Sequence, residues 1–93
     1  MPSSVEDNIR VSSDITESRL GEETVILHLT NGAYFGLDEV GTIIWEGLKQ
    51  KQAPSEIAAQ IAAAYDIGPS QAREDVDELI TKLLENDLAI RST

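Results

Sequence analysis

The sequence predicts an α+β domain of winged helix-turn-helix type, an N-terminal three-stranded antiparallel sheet followed by three helices. Three observations predict it. Apolar alternation with β-branched residues runs through "ETVILHLTN" and "AYFGL" and stops at Leu37. From Asp38 the apolar period changes to three and four residues. Pro54 and Pro69 then each open a new helical stretch. Strands first and helices after make a small sheet with helices on one face.

The strands come first in order. "IRVSSDITESRL" alternates weakly, and a first strand is expected at residues 9–12, followed by a polar connection. "ETVILHLTN" places Val25, Leu27 and Leu29 on one face and Thr24, Ile26, His28 and Thr30 on the other. Asn31-Gly32 follows at once, and both residues tolerate the positive φ of a type I′ turn. "AYFGL", Ala33 to Leu37, is therefore expected to fold back antiparallel, with Phe35 and Leu37 facing the core.

The helices follow. Asp38 suits an N-cap and Glu39 a first turn. Val40, Ile43, Ile44 and Leu48 form the buried stripe of a first helix reaching about Lys49, flanked by Trp45. Ile57, Ile61 and Tyr65 mark the buried side of the second helix. Its cap position holds Ala53, so its start is expected to fray. The third helix buries Ala72, Val76, Leu79, Ile80, Leu83 and Leu84, and "NDLAI" ends it in a short extended piece. Residues 1–8 are expected to be a flexible tail, 9–90 the domain and 91–93 a C-terminal tail.

Composition limits the function. At 93 residues the chain makes one domain. It has no cysteine, so disulfides, thiolate metal sites and thiol catalysis are excluded. The N-terminus lacks a basic region followed by an apolar run, and no apolar run approaches membrane-span length, so a cytoplasmic protein without membrane contact is expected. There is one histidine, His28, in mid-strand. The acidic pairs Glu22-Glu23, Asp38-Glu39 and Glu74-Asp75 do not have calcium-loop spacing, and no glycine-rich phosphate loop exists. No catalytic residue, metal ligand or cofactor is expected.

The net charge is −10, from 17 acidic and 7 basic residues. Protein affinity for nucleic acid comes largely from Lys and Arg on phosphates. The third helix, the recognition helix of a DNA-binding domain with this element order, carries Glu74, Asp75, Asp77, Glu78 and Glu85 against Arg73 and Lys82. Nucleic acid is therefore not an expected partner. "AYFGL" lacks the charges, prolines or bulges that protect edge strands. Three arrangements satisfy such an edge: cover by the third helix or the N-terminal tail, dimerisation, or a peptide added as a further strand.

The ordered fragments "YFGLDEVGTIIWEGL", "EIAAQIAAAYDI" and "AREDVDELITKLLENDLAI" resemble the PqqD-like family of RiPP recognition elements, small winged-helix domains that bind the leader segment of ribosomally made peptide precursors. The resemblance runs from about Ile9 to Ile90 and looks most like the stand-alone leader-binding proteins of lasso-peptide pathways. A peptide chaperone of pyrroloquinoline quinone biosynthesis, acting with a radical SAM enzyme, is the alternative. The resemblance implies a leader docked on Ala33, Tyr34, Phe35, Gly36 and Leu37, with Asp75, Val76, Leu79, Lys82 and Leu83 on the third helix. Tyr34 could line that groove or face solvent. The implied protein partners are a separate cysteine-type leader peptidase and an ATP-dependent cyclase. Charge at Glu74, Asp75 and Glu78 is expected to steer a leader with basic residues.

Overall fold

The structure is a computed structural model that describes residues 9–91. Its elements run β1 (Ile9–Val11), β2 (Ile15–Leu20), β3 (Glu23–His28), β4 (Tyr34–Leu37), α1 (Glu39–Lys49), α2 (Pro54–Tyr65), α3 (Pro69–Glu85) and β5 (Ala89–Arg91). β2, β3 and β4 form an antiparallel sheet in that order, while β1 pairs antiparallel with β5 in a separate ribbon. This is the expected α+β class, with three helices after the sheet in a winged helix-turn-helix arrangement. The tail expected at residues 1–8 lies outside the described residues, as do 92–93 of the tail expected at 91–93, whose first residue, Arg91, belongs to β5.

The first strand of the sheet is not where the sequence placed it. Residues 9–11 pair with β5, and the stretch read as a polar connection, "ITESRL", forms β2. The reason is chemical. Opposite the inward residues His28, Ile26 and Thr24 of β3 stand Ile15, Glu17 and Arg19 of β2. Glu17 and Arg19 are polar yet point toward the helices, so the apolar alternation that marks a half-buried strand is missing. Gly21, at φ 66°, supplies the positive φ needed at the first position of the tight β2–β3 turn.

β3 buries its less apolar face. Thr24, Ile26 and His28 are buried, while Leu27 and Leu29 are 38% and 60% exposed. Each buried polar group has a partner, as burial demands. Thr42 Oγ1 on α1 donates to Thr24 Oγ1 at 3.0 Å. His28 Nδ1 accepts from the amides of Thr30 and Asn31, both at 3.2 Å. Those bonds, with Gly32 N–H donating to the His28 carbonyl at 3.0 Å, make the β3–β4 turn wider than the expected two-residue Asn31-Gly32 type I′ turn. Gly32 has φ 78°, whereas Asn31 does not enter the positive-φ region. Asn31 instead holds the turn through Oδ1, which accepts from the Ala33 amide at 2.7 Å.

The helix termini follow from local chemistry. Asp38 caps α1, its Oδ1 accepting from the Gly41 amide at 2.7 Å. Ala53 gives α2 no side-chain cap, but Glu56 Oε1 accepts from the Ala53 amide at 2.8 Å, which is half of a capping box. Asp66 closes α2 in the left-handed region at φ 54°. Between sheet and helices lie Ile26, Ile44, Trp45, Leu48, Ile57, Ile61, Val76 and Leu83, all at 0–1% exposure.

Two predictions concern this packing. A Cβ at Gly47 would lie 2.7 Å from Ile57 Cγ1 and 2.9 Å from Ile57 Cδ1. Ile57 is fully buried and cannot swing out. Gly47→Ala should gain about 1 kcal/mol of helix propensity but lose about 1–3 kcal/mol to overpacking. Net destabilisation is expected in urea unfolding followed by Trp45 fluorescence. Tyr65 Oη donates to Glu39 Oε2 at 2.7 Å, joining α2 to α1. That hydrogen bond first, then desolvation and the charges of Glu39, Glu22 and Asp38, push the phenol from 10.0 up to about 12. Folding therefore favours the protonated phenol. Its contribution is full below about pH 10 and is lost as pH rises toward about 12. Between those values wild-type stability should fall more steeply than that of Tyr65→Phe, compared by denaturant midpoints at each pH.

Candidate peptide-binding cleft

β4 is the edge of the sheet next to α3, and its described strand pairing is to β3 alone. The His28 amide donates to the Ala33 carbonyl at 2.8 Å. In an antiparallel ladder bonded and non-bonded pairs alternate. Ile26–Phe35 and Thr24–Leu37 are then the bonded pairs, and Leu27–Tyr34 and Val25–Gly36 the non-bonded ones. The N–H and C=O groups of Tyr34 and Gly36 consequently point away from β3, along the open edge.

That edge borders a cleft of about 520 Å³. β4 contributes Phe35, Gly36 and Leu37. The N-terminal half of α1, with its capping residue, contributes Asp38, Val40, Gly41 and Ile44. The opposite wall is α3, through Asp75, Glu78, Leu79 and Lys82. The floor is apolar and the rim is charged, the arrangement that suits a ligand with both apolar side chains and polar groups. Asp38 is engaged as the α1 cap and Asp75 Oδ1 accepts from Gln71 Nε2 at 2.9 Å.

Of the residues the sequence singled out, Phe35, Gly36, Leu37, Asp75, Leu79 and Lys82 meet at this cleft. Val76 and Leu83 are fully buried and present no surface to it. They belong to the core cluster against which the half-buried Leu79 packs. Ala33 lies in the turn before β4. Tyr34, 70% exposed, sits opposite Leu27 on the sheet face away from the helices, so its ring faces solvent and only its backbone reaches the edge. Sequence reasoning missed Val40 and Gly41 as wall residues, Val40 because its spacing reads as core stripe; Ile44 borders the cleft from the core, at 1% exposure. One signal was present at Gly41. A Cβ there would come within 3.2 Å of Asp38 Oδ1 and 3.3 Å of Leu37, a close approach that favours glycine.

Among the described residues no group of three or more His, Cys, Asp or Glu side chains is placed to hold a metal ion. No helix among them is long and apolar enough to cross a membrane.

Residues 23–89 match the family described as coenzyme PQQ synthesis protein D (PqqD). The chain belongs to the PqqD family. This PqqD-family chain is also similar to solved structures. One is TbiB1 in complex with the TbiA(beta) leader peptide, 32% identical, covering 86% of this chain and 93% of that one, with a TM-score of 0.81. Another is a lasso peptide synthetase B1 complexed with the leader peptide, 24% identical, covering 89% and 98% of the two chains, also at 0.81. The second likeness speaks to the fold alone. No curated protein sequence matches the chain. The likeness to PqqD-like recognition elements read from the sequence is borne out in family and in fold.

Proposed function

We propose that this PqqD-family chain is a non-catalytic RiPP recognition element that binds the leader segment of a lasso-type precursor peptide. The leader lies along β4 as a further strand and fills the cleft between β4 and α3. The carrying observation is the uncharged β4 edge, with the Tyr34 and Gly36 backbone groups turned away from β3 and Gly36 bordering the cleft. Strand addition takes its affinity from such main-chain groups and its specificity from neighbouring pockets. The identity to TbiB1, a protein solved with a leader peptide bound, supports the same class of ligand here. Leader side chains facing the helices meet Phe35, Leu37, Val40 and Leu79, while Asp75 and Lys82 contact them from the rim.

Function then follows from tethering. Holding the leader places the rest of the precursor near a separate cysteine-type peptidase and an ATP-dependent cyclase, at an effective concentration in roughly the mM range for a short flexible link. A second reading, peptide chaperone of pyrroloquinoline quinone biosynthesis, is favoured by the description of the matching family. Titration with both classes of leader separates the two.

Two predictions test the binding mode, with the leader segment of the cognate precursor peptide as probe. A Cβ at Gly36 meets nothing within 4 Å, so Gly36→Ala should bind the leader normally. Gly36→Pro deletes the outward N–H and should lose binding, as should Leu79→Glu in the apolar floor, with circular dichroism unchanged for all three. Equal affinity across the set, measured by calorimetry, would sink strand addition in this cleft. Separately, the association rate of a leader with basic residues should fall between low and physiological salt, because Glu74, Asp75 and Glu78 attract it over a Debye length that shrinks to about 8 Å. A salt-independent rate measured by stopped flow would rule out steering.

A further inference from the structure

The cleft has a direction. Asn31 Nδ2, in the turn before β4, donates to Asp87 Oδ2, just past the end of α3, at 3.5 Å. The C-terminal end of α3 therefore lies beside the start of β4, and α3 runs back toward the end of β4, where Asp38 begins α1. Along α3, Asp75 and Lys82 are seven residues apart, which is about 10.5 Å of helix. The extended lining stretch Phe35 to Asp38 spans about 10 Å. Helix wall and strand wall are thus matched in length. Charge is distributed unevenly between the two ends. By that helix direction Lys82 stands nearer the start of β4 and Asp75 nearer its end, where Asp38 follows, with Glu78 between.

Lys82 is the single cation among the described lining residues. Glu78 precedes it by four residues, the order that favours an intrahelical ion pair. The described ion pairs nevertheless include neither residue. The remaining acids of the wall are engaged elsewhere, Asp38 on the Gly41 amide and Asp75 on Gln71. An ammonium at the mouth of an apolar cleft, paired with no carboxylate among the described residues, is complementary to a carboxylate of the ligand.

We infer that the cleft selects its peptide by charge order: the added strand places an Asp or Glu against Lys82 and a neutral or basic residue against Asp38 and Asp75. This inference rests on the strand-addition reading of the same cleft. In a sheet that is antiparallel throughout, the added strand runs antiparallel to β4. Its N-terminal part then lies at the Asp38 end and its carboxylate at the C-terminal part, by Lys82. The pair also reconciles the acidic surface with a selective site. Glu74, Asp75 and Glu78 attract the basic part of the leader, and Lys82 fixes which way round it lies.

The test uses a synthetic peptide spanning the leader of the cognate precursor, labelled with fluorescein for anisotropy. Lys82→Glu should weaken binding about tenfold and Lys82→Met by less, both with unchanged thermal melting. A scan in which each Asp or Glu of the peptide is changed to Lys should find one position that weakens binding to wild type and restores it to Lys82→Glu. A nitroxide on the peptide N-terminus should broaden amide signals near Asp38 and spare those near Asn31. Unchanged affinity of Lys82→Glu, absence of a compensating peptide position, or broadening at Asn31 instead would each overturn the inference while leaving strand addition standing. Failure of the wild-type protein to bind the leader at all would overturn the reading beneath it.

Discussion

The hydrogen bond from Trp45 Nε1 to Glu17 Oε1, at 3.0 Å, holds α1 against the sheet, and the rest of the architecture depends on that placement. Trp45 is fully buried, so its ring fills the core and its N–H must find a partner. The same carboxylate accepts from Lys49 Nζ at 3.0 and 3.1 Å, and Lys49 also meets Glu46 at 3.2 Å. Partial desolvation by itself lowers the Lys49 pKa, but the hydrogen bonds and charges of Glu17 and Glu46 outweigh it and raise it overall. The ammonium is thus present over the whole ordinary pH range. One inward-pointing glutamate on β2 thereby satisfies a buried indole and anchors the last turn of α1. At the other end Thr42 bridges to Thr24 on β3 and Asp38 caps the first turn. α1 is pinned at both ends, and its N-terminal half becomes the fixed end wall of the cleft.

The two sheet edges are managed differently. β2 turns charged side chains inward and ties them to α1, which makes its sequence a poor template for pairing with another chain. β4 has no charged side chain at all and would be an aggregation hazard in a neutral protein. The net charge of −10 opposes association of copies of this chain, and so opposes edge-to-edge pairing at β4.

The legible parts of the fold were those with local causes. The α1 cap at Asp38, the proline starts of α2 and α3, and the buried stripe Ala72–Val76–Ile80–Leu83 follow from residue type and spacing alone. β2 was not legible, because Glu17 and Arg19 occupy inward positions that only a helix from elsewhere in the chain makes acceptable. The width of the β3–β4 turn was hidden for a similar reason. Asn31-Gly32 fits a two-residue turn by propensity, but the His28 imidazole competes for the turn amides and wins. In the cleft, Val76 and Leu83 share a stripe with Leu79, and rotation by a fraction of a helical turn separates a floor residue from a core residue. Sequence spacing does not resolve that angle.

By itself the sequence determined the class, the order of the helices, the absence of thiol chemistry, the family, and the existence of an uncharged strand ahead of an acidic helix. Those are properties of composition and short-range pattern. Tertiary structure decided which strands share a sheet, which face of β3 is buried, and that α3 runs back along β4 at a distance that leaves a cleft. It also decided that Tyr34 faces solvent while its backbone faces the edge. Each of these depends on partners brought together from distant positions, as when Glu17 meets Trp45 and Asn31 meets Asp87. A hydrogen bond between residues so far apart in sequence leaves no local pattern to be read.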